Sequence, residues 1–512
     1  MVRPLRGVLR GWLIGGVLCL AVAPTLPLIF SALAQRSTGP VWTDAFRKAA
    51  LSTWWLGVGT SIQSLLIGLP LGLLAALYRF PARRPLVVVQ ALPLLLPSFL
   101  PCIGWSNLAM ATWLPAMDGL ASCVFVLGLQ AAPLPFFTTW AACQNLTASQ
   151  IDAARLHGGE KEVLKLSARA CAPVALLAAL LGGILSLSDP GAPLIFGVRS
   201  AATEIRTSFS ALFDYGLAGR QCLLLSGLVL LLTGPVLLVG LRSLATAVLA
   251  RQTRPVLPYP HRLLSAWALS GLLLSVTVGI GLPTIGLCLP AVQNAMLARA
   301  WQQVAATAGT TLIFTGGAGM IAVMLATLTA LAASTDSRRQ LVVLAALLSL
   351  FATPPALAAI GVSRMATHTP QPFDWLMRSR LTVALVLGLR FLPVATVAMM
   401  RAVGSMAPSW SHAGRVHGIT PSRMLFRVIL PNLAPAIIVS LLLVMVLAAA
   451  DITTTHLLEP PGEQSLPVAI FTVMANSPEG LVASLCLLYL TSVVAMLLVA
   501  AQVPRVWRRR AA

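Results

Sequence analysis

Asp152-Ala153-Ala154-Arg155-Leu156-His157-Gly158 is a polar, basic stretch in a very apolar chain, and His412-Ala413-Gly414-Arg415-Val416-His417-Gly418 repeats it 260 positions later. The repeat extends outward from both copies. Val126-Leu127-Gly128-Leu129-Gln130 and Pro133 match Val386-Leu387-Gly388-Leu389-Arg390 and Pro393 at the same offset of 260. Upstream, Arg83-Arg84-Pro85-Leu86-Val87-Val88 matches Arg338-Arg339-Gln340-Leu341-Val342-Val343. Downstream, Pro173 and Asp189 match Pro435 and Asp451 at an offset of 262, and Cys222-Leu223-Leu224 matches Cys486-Leu487-Leu488 at 264. Small length changes between matched blocks are what connecting loops tolerate.

The background of these blocks sets the fold class. Of 512 residues, 58% are hydrophobic and 10% charged, and mean hydropathy is +0.88. Soluble domains carry about 25% charged residues. Apolar stretches of about 20 residues, the length a helix needs to cross a bilayer, recur along the chain. Backbone groups in such stretches must be satisfied within the segment, which selects helices. The alternation over about 10 residues that marks a membrane β-barrel is missing. The sequence therefore predicts an all-α polytopic membrane protein of about twelve transmembrane helices, arranged as two pseudo-symmetric six-helix halves. Spans are expected near 11–34, 51–78, 86–110, 119–143, 172–196, 221–249, 263–289, 303–333, 340–363, 381–400, 433–456 and 480–503. The halves are residues 1–255 and 256–512, joined by the basic, Pro-rich segment Arg251–Arg262. Parallel repeats of this kind put a substrate path at their interface.

A net charge of +21 raises the question of nucleic acid. Its distribution answers with a membrane instead. With the N-terminus inside, 24 of the 35 Lys and Arg residues fall on one side of the twelve spans. That bias is the positive-inside rule, and it predicts both termini in the cytoplasm. The basic start, apolar run and Ala32-Leu33-Ala34 imitate a secretory signal. An h-region of such a signal runs about 7–15 residues and this one is longer, so an uncleaved first span is expected. The eight cysteines contain no CxxC, so neither zinc nor a disulfide framework is signalled. The six histidines are scattered, and no HExxH or Ser/His/Asp constellation stands out. There is no GxxxxGK[ST] phosphate loop, so ATP chemistry, where needed, belongs to another chain.

With both copies inside, the polar stretches become cytoplasmic loops spanning 152–170 and 412–431. Glycine permits a backbone turn that other residues resist, and Pro173, Pro431 and Pro435 mark where each following span begins. A short helix, a Gly turn and a second short helix are expected in each.

These loops resemble the EAA loop of the membrane subunits of type I ABC importers: Glu-Ala-Ala, three residues, Gly, then Leu-Pro about a dozen residues on. Leu430-Pro431 follows Gly418 at that spacing; the leading acid is Asp152 in one copy and His412 in the other, and Ala170-Cys171 stands where the first copy would have Leu-Pro. The resemblance implies a permease without enzymatic activity or bound cofactor, with ATP held by separate ATPase subunits, two copies of which dock on the loops. It implies hinge glycines at Gly158 and Gly418, small packing positions at Ala153, Ala154, Ala413 and Gly414, a periplasmic solute-binding protein as the outer partner, and a bacterial inner membrane. Asp189-Pro190-Gly191-Ala192-Pro193-Leu194 further resembles a segment of the single-chain fused permeases of iron(III) and thiamine type. Gln130, Asp189, Arg390 and Asp451, polar groups in or beside apolar spans, are candidates for the translocation path. Structural roles for the same residues, as helix caps or ion-pair partners, remain open at this point, as does the solute. A twelve-span secondary transporter of the major-facilitator kind is the alternative reading; its basic motif would follow the second span, where only Arg79-Phe80-Pro81-Ala82-Arg83-Arg84 stands.

Overall fold

The computed structural model describes residues 2–29, 40–112, 115–249, 258–293, 296–334, 336–368, 375, 379–406, 408–474 and 476–511. Among these there is no strand. Nine helices are long and apolar enough to cross a membrane: 10–29, 44–77, 119–143, 148–187, 262–292, 297–333, 380–405, 422–450 and 479–503. Two bent pairs raise the number to eleven if each is one span: Arg83–Leu95 with Phe99–Ala111, bent by 95°, and Ser337–Ala352 with Pro355–Met365, bent by 80°. The helix Tyr215–Leu249 contributes a shorter apolar stretch, Tyr215–Leu231. The chain is thus an all-helical, multi-pass membrane protein with nine to eleven such spans among its described residues, against the twelve expected.

Both bends fall at prolines. Leu96 precedes Pro97 with φ −93° and ψ 144°, and Thr353 precedes Pro354 with φ −68° and ψ 145°. Proline pushes its predecessor out of the helical region and lacks the N–H that would continue the ladder. Each break therefore frees backbone carbonyls within an apolar segment.

Matched segments make matched contacts. The 44–77 helix packs on 133–143 and on 148–187; its equivalent, 297–333, packs on 380–405 and on 430–450. The halves are also laced together. The first helix, 2–22, lies against 297–333 of the second half, and Ile14, Val17 and Ala21 join that half's core. Reciprocally, the 282–293 helix packs on Phe99–Ala111 of the first half. That crossing is close because both helices present glycine: a Cβ on Gly286 would run into the Gly104 carbonyl. Small residues at such crossings let backbones approach where lipid gives no hydrophobic drive. A second core mixes Leu92, Phe99 and Ile103 with Leu466, Ile470 and Leu485.

The 148–187 helix is 40 residues long. It is broken at Gly158-Gly159, where the backbone is not helical; the run from residue 160 to 187, at 1.5 Å per residue, is about 42 Å long and exceeds a hydrocarbon core of about 30 Å. It carries the first polar loop at one end and reaches Asp189 at the other. The expected second short helix of that loop is in fact the start of the spanning helix, because Pro173 removes one hydrogen bond without ending the helix.

Candidate functional site

The Pro97 and Pro354 breaks face a cavity of about 300 Å³ between the halves. Gln130, Asp189, Arg390 and Asp451 all line it. Their arrangement follows the repeat. Gln130 Nε2 donates to Leu96 O at 2.5 Å, and Arg390 Nη1 donates to Thr353 O at 3.3 Å. In each half, then, the polar side chain of the helix after the break satisfies the carbonyl freed ahead of the proline. Asp189 and Asp451 hold related places: Asp451 is the cap shared by the helices 430–450 and 452–458, and Asp189 lies in the two-residue joint between the long helix, capped by Ser188, and the short helix 191–195. Asp189 Oδ1 accepts from Ser98 Oγ at 2.7 Å and from Gly191 N–H at 3.1 Å. Asp451 accepts from Thr454 N–H at 3.0 Å and from the Thr454 hydroxyl at 2.9 Å. The acids are caps and line the cavity at once.

The symmetry then breaks. Arg390 Nε lies 2.6 Å from Asp451 Oδ2, with side-chain exposures of 15% and 7%. Phe351 and Phe391 flank the guanidinium at 5.9 and 5.8 Å. Gln130 carries no charge, and among the described residues Asp189 has no cationic partner. Gln130 Oε1 is buried without a hydrogen-bond partner. The rest of the wall is mostly apolar, with Leu134, Val394 and Leu443 on it. A smaller pocket of about 30 Å³ shares Ser188, Pro190, Ile452 and Thr453 with the cavity and adds Arg206 and His456.

At the far end of the long helices, both polar loops fold as helix, glycine turn, helix. In the first, helical geometry fails at Gly158 (φ −155°) and Gly159 (φ 66°). In the second, the Pro408–Val416 helix ends at Gly418 (φ 65°). Ile419 N–H there donates to Gly414 O at 2.9 Å, the six-to-one bond of a helix that closes on a positive-φ glycine, after His417 N–H makes an ordinary helical bond to Ala413 O at 3.0 Å. The positive-φ residue of the first loop is Gly159, and Gly158 beside it is also outside helical geometry, so the turn uses both glycines.

The small residues divide by position. Ala154 packs beside Ile151 and Val163, and Gly414 is buried with Met424 Sδ 3.2 Å from where a Cβ would stand. Ala153 and Ala413 are exposed. Asp152 is exposed and sits 3.4 Å from Arg155 Nη1. The side chain of His412 lies outside the described residues. Two residues that the motif did not mark are the most exposed of the apolar side chains here: Leu156 at 89% and Val416 at 84%. They occupy equivalent places, one residue before each histidine. Their signal in the sequence was an aliphatic residue kept at the same point of two polar loops.

Among the described residues no group of three or more His, Cys, Asp or Glu could hold a metal. Comparison with protein-family models, with curated proteins and with solved structures finds no match.

Proposed function

We propose that this chain is the fused permease subunit of a bacterial ABC importer, with both halves contributing to one solute path through the inner membrane. The observation that carries this reading is the doubled helix–glycine–helix loop, built at the same point of two repeats and tipped each time by an exposed aliphatic side chain. Such a projection suits a cleft on a partner, and the missing phosphate loop says what the partner supplies. Two cytoplasmic ATPase subunits hold the ATP and engage the 152–170 and 412–431 loops. A periplasmic solute-binding protein delivers cargo to the opposite face. Both termini are cytoplasmic.

The loops are continuous with the helices that end at Asp189 and Asp451. Closure of the ATPases would move those helices as levers and reshape the cavity between the halves, a two-state packing biased from both faces. Gln130, Asp189, Arg390 and Asp451 line the solute's route in this account.

Isolation of the chain with its native partners tests the reading. An ATPase should co-purify and be lost on Gly418→Asp. ATP-independent uptake by the chain alone in liposomes would overturn the proposal in favour of a secondary transporter.

A further inference from the structure

The described end of the segment between the halves, residues 258–262, is built into the first polar loop. Tyr259 pairs with Tyr78 in an isolated parallel bridge: Tyr259 N–H donates to Leu77 O at 2.8 Å, and Arg79 N–H donates to Tyr259 O at 3.1 Å. His261 lies edge-on to Tyr78 with ring centroids 6.2 Å apart. Its Nδ1 accepts from Leu264 N–H at 3.2 Å, which starts the Arg262–Val276 helix of the second half. From the other side, the Arg155 guanidinium lies over the Tyr259 ring, 3.9 Å from its centroid. Arg155 is held in turn by Glu160, Nε to Oε1 2.5 Å, and Glu160 Oε2 accepts from the Tyr78 hydroxyl at 2.6 Å. Leu264 packs with Ile151, Val163, Leu77 and Tyr78.

These contacts form an unbroken line from the first loop, through Arg155 and Tyr259, into the first helix of the opposite half. The sequence does not repeat this line at the second loop. At the repeat offsets Ala333 stands where Tyr78 is, and Thr420 where Glu160 is. Neither can make the hydroxyl–carboxylate–guanidinium chain.

We infer that Arg155 and Tyr259 form a strut that positions the first loop against the second half, so that displacement of the first loop reaches both halves while displacement of the second acts on its own half. The strut itself stands on the contacts above; its consequence for coupling rests on the importer reading. Arg155 and Tyr259 are positioning residues in this account.

Hydrogen exchange on the purified full-length chain in lipid nanodiscs tests it. Exchange at residues 148–165 should rise about two- to fivefold in Arg155→Ala and in Tyr259→Ala, the range a cation–ring contact supports. The double variant should rise no further than Arg155→Ala, which already loses the ring contact. Tyr259→Phe should match the unaltered chain, because the ring and not the hydroxyl faces the guanidinium. Residues 408–424 should not respond. Unchanged exchange at 148–165 in both alanine variants overturns the strut, and so does an equal rise at 408–424. If Tyr259→Ala does not fold, Arg155→Lys decides: it keeps a charge for Glu160 but loses the planar stack, so raised exchange supports the strut and unaltered exchange overturns it. No ATPase is needed for this measurement, so failure of the importer reading and failure of the strut are separate results.

Discussion

Arg390 Nε lies 2.6 Å from Asp451 Oδ2, while their repeat partners, Gln130 and Asp189, form no ion pair. The two halves thus share a backbone device, a side chain holding the carbonyl ahead of a proline break, yet differ in charge. One wall of the cavity carries a closed ion pair. The other carries a carboxylate held only by a hydroxyl and backbone N–H groups, together with an amide oxygen that has no partner.

The ion pair should behave as a unit. Removing one member of a buried pair leaves an uncompensated charge and costs about 3–5 kcal/mol, whereas replacing both with apolar groups is often near neutral. Arg390→Met is expected to lower stability by that amount. Arg390→Met with Asp451→Leu should cost less than Arg390→Met alone, retaining a penalty of about 1 kcal/mol for the lost cap on Thr454. Equilibrium unfolding in mixed micelles gives the cycle; simple additivity of the two single changes would show the pair is not coupled.

Arg390→Gln recreates the first half's arrangement in the second. Glutamine can still hold Thr353 O, as Gln130 holds Leu96 O, so assembly should survive. If the guanidinium guides solute through the cavity, uptake should fall by about tenfold or more, the worth of one charge-assisted hydrogen bond. Full uptake by a normally assembled variant would leave Arg390 with a purely structural role.

The glycines of the first loop should separate. Gly159 (φ 66°, ψ −158°) and Gly418 (φ 65°) have positive φ, and an L side chain held in such a conformation costs about 1–3 kcal/mol. Gly158, at φ −155°, carries no positive-φ penalty, and an alanine there needs only the Glu162 side chain, and no backbone atom, to shift. Gly159→Ala and Gly418→Ala should therefore loosen their loops, read as faster amide exchange in the preceding turn, and Gly158→Ala should change little. A Gly158→Ala effect as large as that of Gly159→Ala would place the hinge one residue earlier.

Much of this architecture was legible because a repeat imposes equal spacing on equal structure. Arg83-Arg84 and Arg338-Arg339 marked the same helix start, and Gln130 and Arg390 matched positions that both line the cavity. What the sequence hid was long-range and non-periodic. Nothing local relates Tyr259 to Arg155, because their contact depends on how a linker folds back on a helix end. The continuity of the loop's second helix with the following span was hidden too, since Pro173 reads as an interruption although the helix runs through it. The count of twelve spans relied on hydropathy alone, and proline bends divide that signal among shorter helices.

Leu156 and Val416 should matter for partners and not for stability. A lone exposed aliphatic residue is ordinary, but these two recur at one place in both loops. Leu156→Asp and Val416→Asp should each leave unfolding unchanged within about 0.5 kcal/mol, as exposed substitutions do. If the tips fill pockets on an ATPase, affinity should drop about 30-fold, a 2 kcal/mol hot spot. Co-isolation at graded salt reads the loss. Undiminished binding in both variants would remove the tips from the docking surface.

Cys143 and Cys171 offer a direct check on the base of the first loop. Cys143 ends the Pro133–Cys143 helix, Cys171 lies within 148–187, and their sulfurs are 3.4 Å apart. Both are free thiols and buried, so an oxidant reaches them only when the site opens locally. Prolonged treatment of the chain with diamide, which takes up the two hydrogens as the sulfurs join, should remove two alkylatable thiols and link the peptides that contain them. Cys171→Ser should prevent the link. The second half has Val403 and Leu433 at the corresponding offsets and should give none. Failure to link under conditions where both thiols do become alkylated would mean that the 133–143 and 148–187 helices do not meet at this point.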